Sequence, residues 1–394
     1  MGFDPRGSAF YHALLKREAR LAQRRGFAGL TVGALTQQSA YVQRCTLQLD
    51  PCDKVAAPPS SAPANGQQQP AAEQHQHYFF FDIADLIAIF FRQNCWQSWR
   101  HFALLVLRLV VQGLIWRTRR VSPLFSLFLC YPLLLVLLST LASFGLLAAL
   151  VNLVVAKPPD WPVLLFLTPV TFYGSYLLLR FTERWHYCLY LLGDFLFTIQ
   201  ISDASNLLLE QRLQLFATEL AVAVQQARPD EEILLVGHSS GGMLAIRLAA
   251  LVLQQLPADQ HYKLALLTMG NQTSAALANR ALPLRQAVLQ LSSTADFCWR
   301  EVFAPQDVIS SGKFDLIHHL TGQPAANFAF WSARIRESMA GPSYRAMQLH
   351  FFKLHMQYLR ASETGAGFDY LQLLSQNQPL AHYQPAAARH ATTY

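Results

Sequence analysis

The run Glu231–Ala245 (EEILLVGHSSGGMLA) leaves the backbone few choices. Ile233 to Val236 is a short apolar block with the character of a buried strand. The turn Gly237-His238-Ser239-Ser240-Gly241 follows, with the spacing G-x-S-x-G. Leu244, Leu248 and Leu251 then recur at helical spacing, with Arg247 off their stripe. A strand that becomes a helix within so few residues needs a sharp turn. The two glycines remove side chains that would collide there, and the serine hydroxyl is pushed to the tip. The N–H of Ser240 would point at a developing oxyanion, with the positive end of the helix behind it. That helix is expected to reach about Leu256 and stop at Pro257. No G-K-[ST] or G-x-G-x-x-G is present to support phosphate binding by the turn.

From Trp185 onward the pattern is α/β. Tyr187–Ile201 reads as a strand or a helix, and Ala204–Ala227 as a helix. Lys263–Met269 is continuously apolar, as a parallel strand covered on both faces must be. A helix is expected over Ala275–Leu291, a strand over Phe297–Phe303 and a late helix over Tyr344–Leu359. The expected fold class is α/β, a parallel-sheet domain over 185–375, with a disordered tail from Gln376 to Tyr394.

What precedes that domain is a different material. The chain of 394 residues is 52% hydrophobic and only 14% charged, too apolar for a plain soluble enzyme. Leu124–Ala156 carries no charge and exceeds the ~20 residues that a spanning helix needs. Lys157-Pro158-Pro159-Asp160 breaks it, and Pro162–Leu179 is a second uncharged segment. The reading is a two-helix transmembrane hairpin over 123–180. Arg117, Arg119 and Arg120 precede it, Arg180 and Arg184 follow it, and only Lys157 lies in the turn. The positive-inside rule then puts both flanks, and the catalytic part, in the cytoplasm.

The net charge of +7 fits either nucleic acid or an anionic membrane surface. The basic residues are scattered or flank apolar segments, so the bilayer is the expected partner and nucleic acid is not. The six cysteines are dispersed without a C-x-x-C, against a zinc site or a disulfide framework and in favour of a reducing compartment. Residues 1–52 form a basic region, a helix and then strand-like alternation, with no apolar core that would make a signal peptide. Residues 53–77, rich in Pro, Ala, Ser and Gln, read as a disordered linker in which His75 and His77 bind nothing. Residues 78–122 read as membrane-proximal helices.

A serine is a weak nucleophile without a base, and the base needs an acid to set its tautomer. Asp307 is preferred as the acid, because it lies in the loop leaving the Phe297–Phe303 strand. Asp296, at the entry to that strand, is the alternate and Asp315 a distant third. For the base the choice is His355, in the aromatic block Phe351–Leu359, with His350 as alternate. His318 and His319 follow Asp307 too closely for a strand to intervene, and His382 sits in the expected tail. The loop near Gly193-Asp194 is considered for a second oxyanion donor, and Ser311–Pro342 for a lid.

At this point the residues resemble a family. Gly237-His238-Ser239-Ser240-Gly241-Gly242 followed by Leu244-Ala245 is similar to serine esterases and lipases of the α/β-hydrolase superfamily. Leu267-Thr268-Met269-Gly270 and Asp307-Val308-Ile309-Ser310 resemble the strand-glycine and D-x-V-[PS] patterns of its lipase-like members. With the hairpin ahead of it, the chain resembles uncharacterised bacterial membrane-anchored hydrolases. The resemblance implies ester or acyl chemistry through Ser239, Asp307 and His355, with no cofactor and no metal. The substrate expected is a small-molecule or lipid ester. No H-G-G-G is present, which departs from one lipase branch. A noncatalytic scaffold that keeps the fold, and an acyltransferase with the same three residues, are the rival readings.

Overall fold

The computed structural model describes residues 2–27, 29–49, 74–155, 161–376 and 378–385. Helix α1 (Gly7–Arg25) ends at Gly26, whose φ of 74° lets its N–H turn back to the Ala22 and Gln23 carbonyls. Strands β1 (Leu30–Val32), β2 (Thr36–Gln37), β3 (Val42–Leu49) and β4 (Gln74–Phe81) form an antiparallel sheet centred on β3. β1 and β2 pair with the two halves of β3, and β4 pairs along its full length, with Thr46 opposite His77. The stretch 74–77, expected as linker, is therefore strand, and it places His75 and His77 in a ladder. Residues 53–73 of that expected linker lie outside the described residues.

The expected membrane-proximal region begins with β4 and continues as α2 (Ala84–Phe91), α3 (Cys95–Val106) and α4 (Leu114–Val121). An Asn94/Gln97 capping box starts α3, and Gly113 at φ 71° opens α4. Helix α5 (Pro123–Val155) and helix α6 (Trp161–His186) then run antiparallel. Ser139 Oγ lies 2.8 Å from Ser175 Oγ, and Tyr131 bonds the His186 carbonyl at 3.2 Å. The expected turn Lys157–Asp160 lies outside the described residues. Among the described residues one helix, Pro123–Val154, is long and apolar enough to cross a membrane, with 17% of its apolar window buried. The pair α3 and α4, bent by 57°, passes the same test only if taken as one broken span.

Helix α7 (Cys188–Asp203) settles the strand-or-helix alternative at Tyr187–Ile201 as helix, and most of it is buried. Helix α8 (Leu207–Gln226) follows behind an Asn206 cap. Next come β5 (Ile233–His238), α9 (Ser240–Leu253), β6 (Leu264–Met269), α10 (Leu282–Ser293), β7 (Cys298–Phe303), α11 (Leu316–Thr321) and β8 (Phe328–Ser332). The four strands are all parallel and lie side by side in chain order. Both faces are covered, and the two-residue period divides β6 between them. Leu264 and Leu266 join the core under α7–α10, whereas Ala265, Leu267 and Met269 join the core shared with α1 and the antiparallel sheet.

Four expectations shift. Pro283 favours the first turn of a helix, so α10 starts at Leu282 and Thr273–Leu277 is a separate short turn. The span considered as a lid contains β8, a half-buried edge strand without hydrophobic alternation. The late helix expected over Tyr344–Leu359 is divided into α13 (Gly341–Met347), α14 (Phe351–His355) and a 3₁₀ turn over Met356–Leu359; α12 (Ile335–Ser338) precedes them and α15 (Tyr370–Ser375) follows. In the expected tail, Leu380 and Tyr383 are buried, and the Leu380 N–H donates to Glu232 at 2.7 Å. Burial of two apolar side chains holds this segment, while 386–394 lie outside the described residues. Arg247 is buried on α9, where its guanidinium grips both carboxylate oxygens of Glu210.

Candidate active site

β5 delivers Ser239 to its C-terminal tip. Ser239 has φ 60° and ψ −137°, a conformation that costs a non-glycine residue about 1–3 kcal/mol. Its own N–H is held by the Met269 carbonyl at 2.9 Å, and its carbonyl accepts from Gly242 N at 2.8 Å. A Cβ on Gly237 would lie 2.6 Å from the Gly241 carbonyl oxygen, and one on Gly242 2.8 Å from the Asn271 side chain. Gly237 is thus required by the crossing of backbones, and Gly242 by the close approach of the Asn271 side chain. Ser239 itself is partly exposed. Ser240 is the first residue of α9, so its N–H has no acceptor within the helix.

The strands β7 and β8 place the other two residues at the same edge. Asp307 follows β7 in a turn closed by its N–H on the Ala304 carbonyl, 3.1 Å, and it is buried. His355 ends α14, is 4% exposed, and donates from Nδ1 to Asp307 Oδ2 at 2.8 Å. That bond leaves Nε2 as the free acceptor of the neutral ring. Tyr358 also donates to Asp307 Oδ2, at 3.1 Å, and the Ile309 N–H donates to Oδ1, also at 3.1 Å. Nε2 of His355 is buried and makes no hydrogen bond among the described residues. Burial pushes the His238 imidazole well below its ordinary range. Its Nε2 donates to the His355 carbonyl at 3.0 Å, so His238 positions the backbone of the base.

Gly270 is where these groups converge. Its φ is 55°, and a Cβ there would lie 2.8 Å from the Tyr358 ring, 3.0 Å from His355 Cε1 and 3.2 Å from Asp307 Oδ2. Gly270→Ala is therefore expected to wedge the His355–Asp307 pair apart and to lower stability by about 1–3 kcal/mol. Thermal melts and imidazole proton NMR read the two effects. An unshifted Nδ1 proton resonance would contradict the wedge.

Two contributions lie outside the motif. The arm Gly2–Asp4 reaches the elbow, where the Phe3 N–H donates to Ser240 Oγ at 2.9 Å. Phe3 is held by the rings of Phe90, Phe91, Tyr190 and Phe197, with centroids 5.4–5.6 Å away, and Tyr190 bonds its carbonyl. Gly193 makes room, since a Cβ there would lie 2.8 Å from the Phe3 ring. Gly193 and Asp194 lie in the middle of α7, so their N–H groups belong to the helix and form no donor loop. The carboxyl of Asp194 is buried, with Gln272 donating to Oδ2 at 3.3 Å and no bond to Oδ1. Burial pushes it up to about 6, against the hydrogen bond from Gln272.

The alternates are elsewhere. Asp296 is exposed at the N-terminal end of β7, the far edge of the sheet. His350 precedes α14 and is exposed, as are His318, His319 and His382, and Asp315 caps α11. Nothing in the sequence marks Phe3, whose approach spans 237 residues of chain. Among the described residues no cluster of His, Cys, Asp or Glu could hold a metal ion, and five cysteines are free. Comparison with family models, curated proteins and solved structures gave no match.

Proposed function

We propose that this chain is a membrane-anchored serine hydrolase that cleaves a carboxylic ester, lipid-derived in kind, through an acyl-enzyme on Ser239. One observation carries the reading: a strained, partly exposed serine at a strand-to-helix tip shares its sheet edge with a buried His355–Asp307 pair. In this reading Ser239 Oγ attacks the carbonyl while His355 Nε2 takes its proton. The tetrahedral oxyanion meets the Ser240 N–H at the start of α9. Collapse expels the alcohol, which leaves with the proton from His355. Water, deprotonated by the same nitrogen, then releases the acid. These steps use neither cofactor nor metal.

The membrane part of the proposal rests on α5 and on the apolar side chains that α5 and α6 turn outward, among them Leu153, Val154 and Phe166, each at least 80% exposed. In a bilayer these faces would meet lipid, and the arginine flanks would hold the catalytic part in the cytoplasm. Fluorophosphonate treatment of the membrane-bound chain tests the chemistry. An adduct on the peptide containing Ser239, lost in Ser239→Ala, is expected; no adduct on that peptide overturns the proposal. A noncatalytic scaffold is favoured by one feature, the absence of a Ser239–His355 hydrogen bond. Such bonds are commonly loose in unliganded sites and tighten with substrate.

A further inference from the structure

The helix that carries His355 is docked on the base of the apolar hairpin. Phe351 packs on Phe128 and Tyr131 of α5, at ring separations of 5.6 and 6.3 Å, and on Tyr187 at 6.3 Å. Phe352 packs on Tyr187 and Tyr190 at 4.5 and 5.1 Å. Two counts give the depth of this contact. Going back about 20 residues from Val155 puts the hydrocarbon boundary on α5 near Val136. Going forward about 20 residues from Trp161 puts it on α6 near Arg180, the first charged residue of that helix. At about 1.5 Å per residue, Tyr131 then lies about 7 Å beyond the boundary, Tyr187 about 10 Å and Phe128 about 12 Å. Headgroups occupy the first 5–8 Å or so outside the hydrocarbon. Both helices place Phe351 at or just outside the outer edge of the headgroups.

Two residues before Phe351, Leu349 is 86% exposed on the turn between α13 and α14. A lone exposed leucine needs no explanation, but this one lies in a stretch of chain whose exposed charges are cationic. No acidic residue occurs between Met339 and Ser362, where Arg345 and Lys353 are exposed, and none occurs between Asp85 and Asp160. Cations flanking an apolar tip match an anionic lipid surface.

We infer that the α13–α14 turn, with Leu349 at its tip, is a rim of the active site that dips into an anionic bilayer and takes acyl esters from it. This rests on the hydrolase reading above.

The test uses the full chain in nanodiscs. An environment-sensitive dye on Leu349→Cys should shift to the blue in anionic discs, be quenched by shallow spin-labelled lipids, and respond less in zwitterionic discs. An unshifted, unquenched dye overturns the inference whether or not the chain is an enzyme. A shift that follows protein concentration instead of lipid assigns the turn to a second copy and overturns it too. In parallel, Leu349→Asp should lower the ratio of vesicle-borne to soluble-ester hydrolysis about tenfold. Leu282→Asp, an exposed leucine on α10, should leave that ratio unchanged. Loss of all ester hydrolysis in the wild-type chain would instead refute the hydrolase reading, leaving the dye result to stand alone.

Discussion

Ser239→Ala is expected to lower kcat for a short-chain chromogenic ester by about 10⁶-fold, to the level set by binding and the oxyanion donors alone. His355→Ala should cost about as much, and the double variant no more than either. Residues that move one proton between them fail as a unit. Asp307→Asn should cost about 10⁴-fold, because an amide oriented toward Nδ1 favours the wrong tautomer of His355. Tyr358 is not in that chain. Its hydroxyl, pushed well above its usual range by burial and by Asp307, only shares the carboxylate. Single-turnover rates in detergent decide the matter. Additive losses for Ser239 and His355, or a Ser239→Ala chain with near-native rate, would remove the proposed mechanism.

The second large effect lies behind the site. Glu301 on β7 is 2% exposed, with Thr268 Oγ1 at 3.4 Å and Trp299 donating in turn to that hydroxyl at 3.0 Å. Burial raises its carboxyl to about 8, against hydrogen bonds from Thr268 and Asn271 that pull it down. In the unfolded chain it would ionise near pH 4.5. Between these limits the folded chain keeps a proton that the unfolded chain has lost. Stability is therefore full below about pH 4.5, falls as pH rises toward 8, and levels above it. The slope for one such group is at most about 1.4 kcal/mol per pH unit. Glu301→Gln keeps the shape and cannot titrate. It should be close to the parent at pH 5 and more stable by a few kcal/mol at pH 8.5. Thermal melts across that range are the measurement, and parallel curves for the two chains would refute the assignment.

Much of the sheet edge is legible in the order of residues itself. The elbow can be read because its signals lie within one turn of chain: an apolar strand, glycines where backbones cross, and an apolar-periodic helix. Asp307 is readable from its place after a strand. His355 is not decided that way, since six histidines follow Asp307 and none carries a local mark. The antiparallel β4 is hidden beside a low-complexity stretch, and β8 by its half-buried, non-alternating side chains. The packed end at Leu380 and Tyr383 is hidden because two isolated apolar residues make no period.

The residue sequence alone determined the strand–turn–helix at Ser239 and the uncharged run of α5. These depend on contacts within a few residues, where steric and hydrophobic spacing act directly. Only the tertiary structure decided that His355 and not His350 meets Asp307, that Phe3 rather than Gly193 approaches Ser240, and that Asp194 is sealed beside them. Those pairings join residues 48 to 237 positions apart, and the packing of two cores on opposite faces of the sheet selects them.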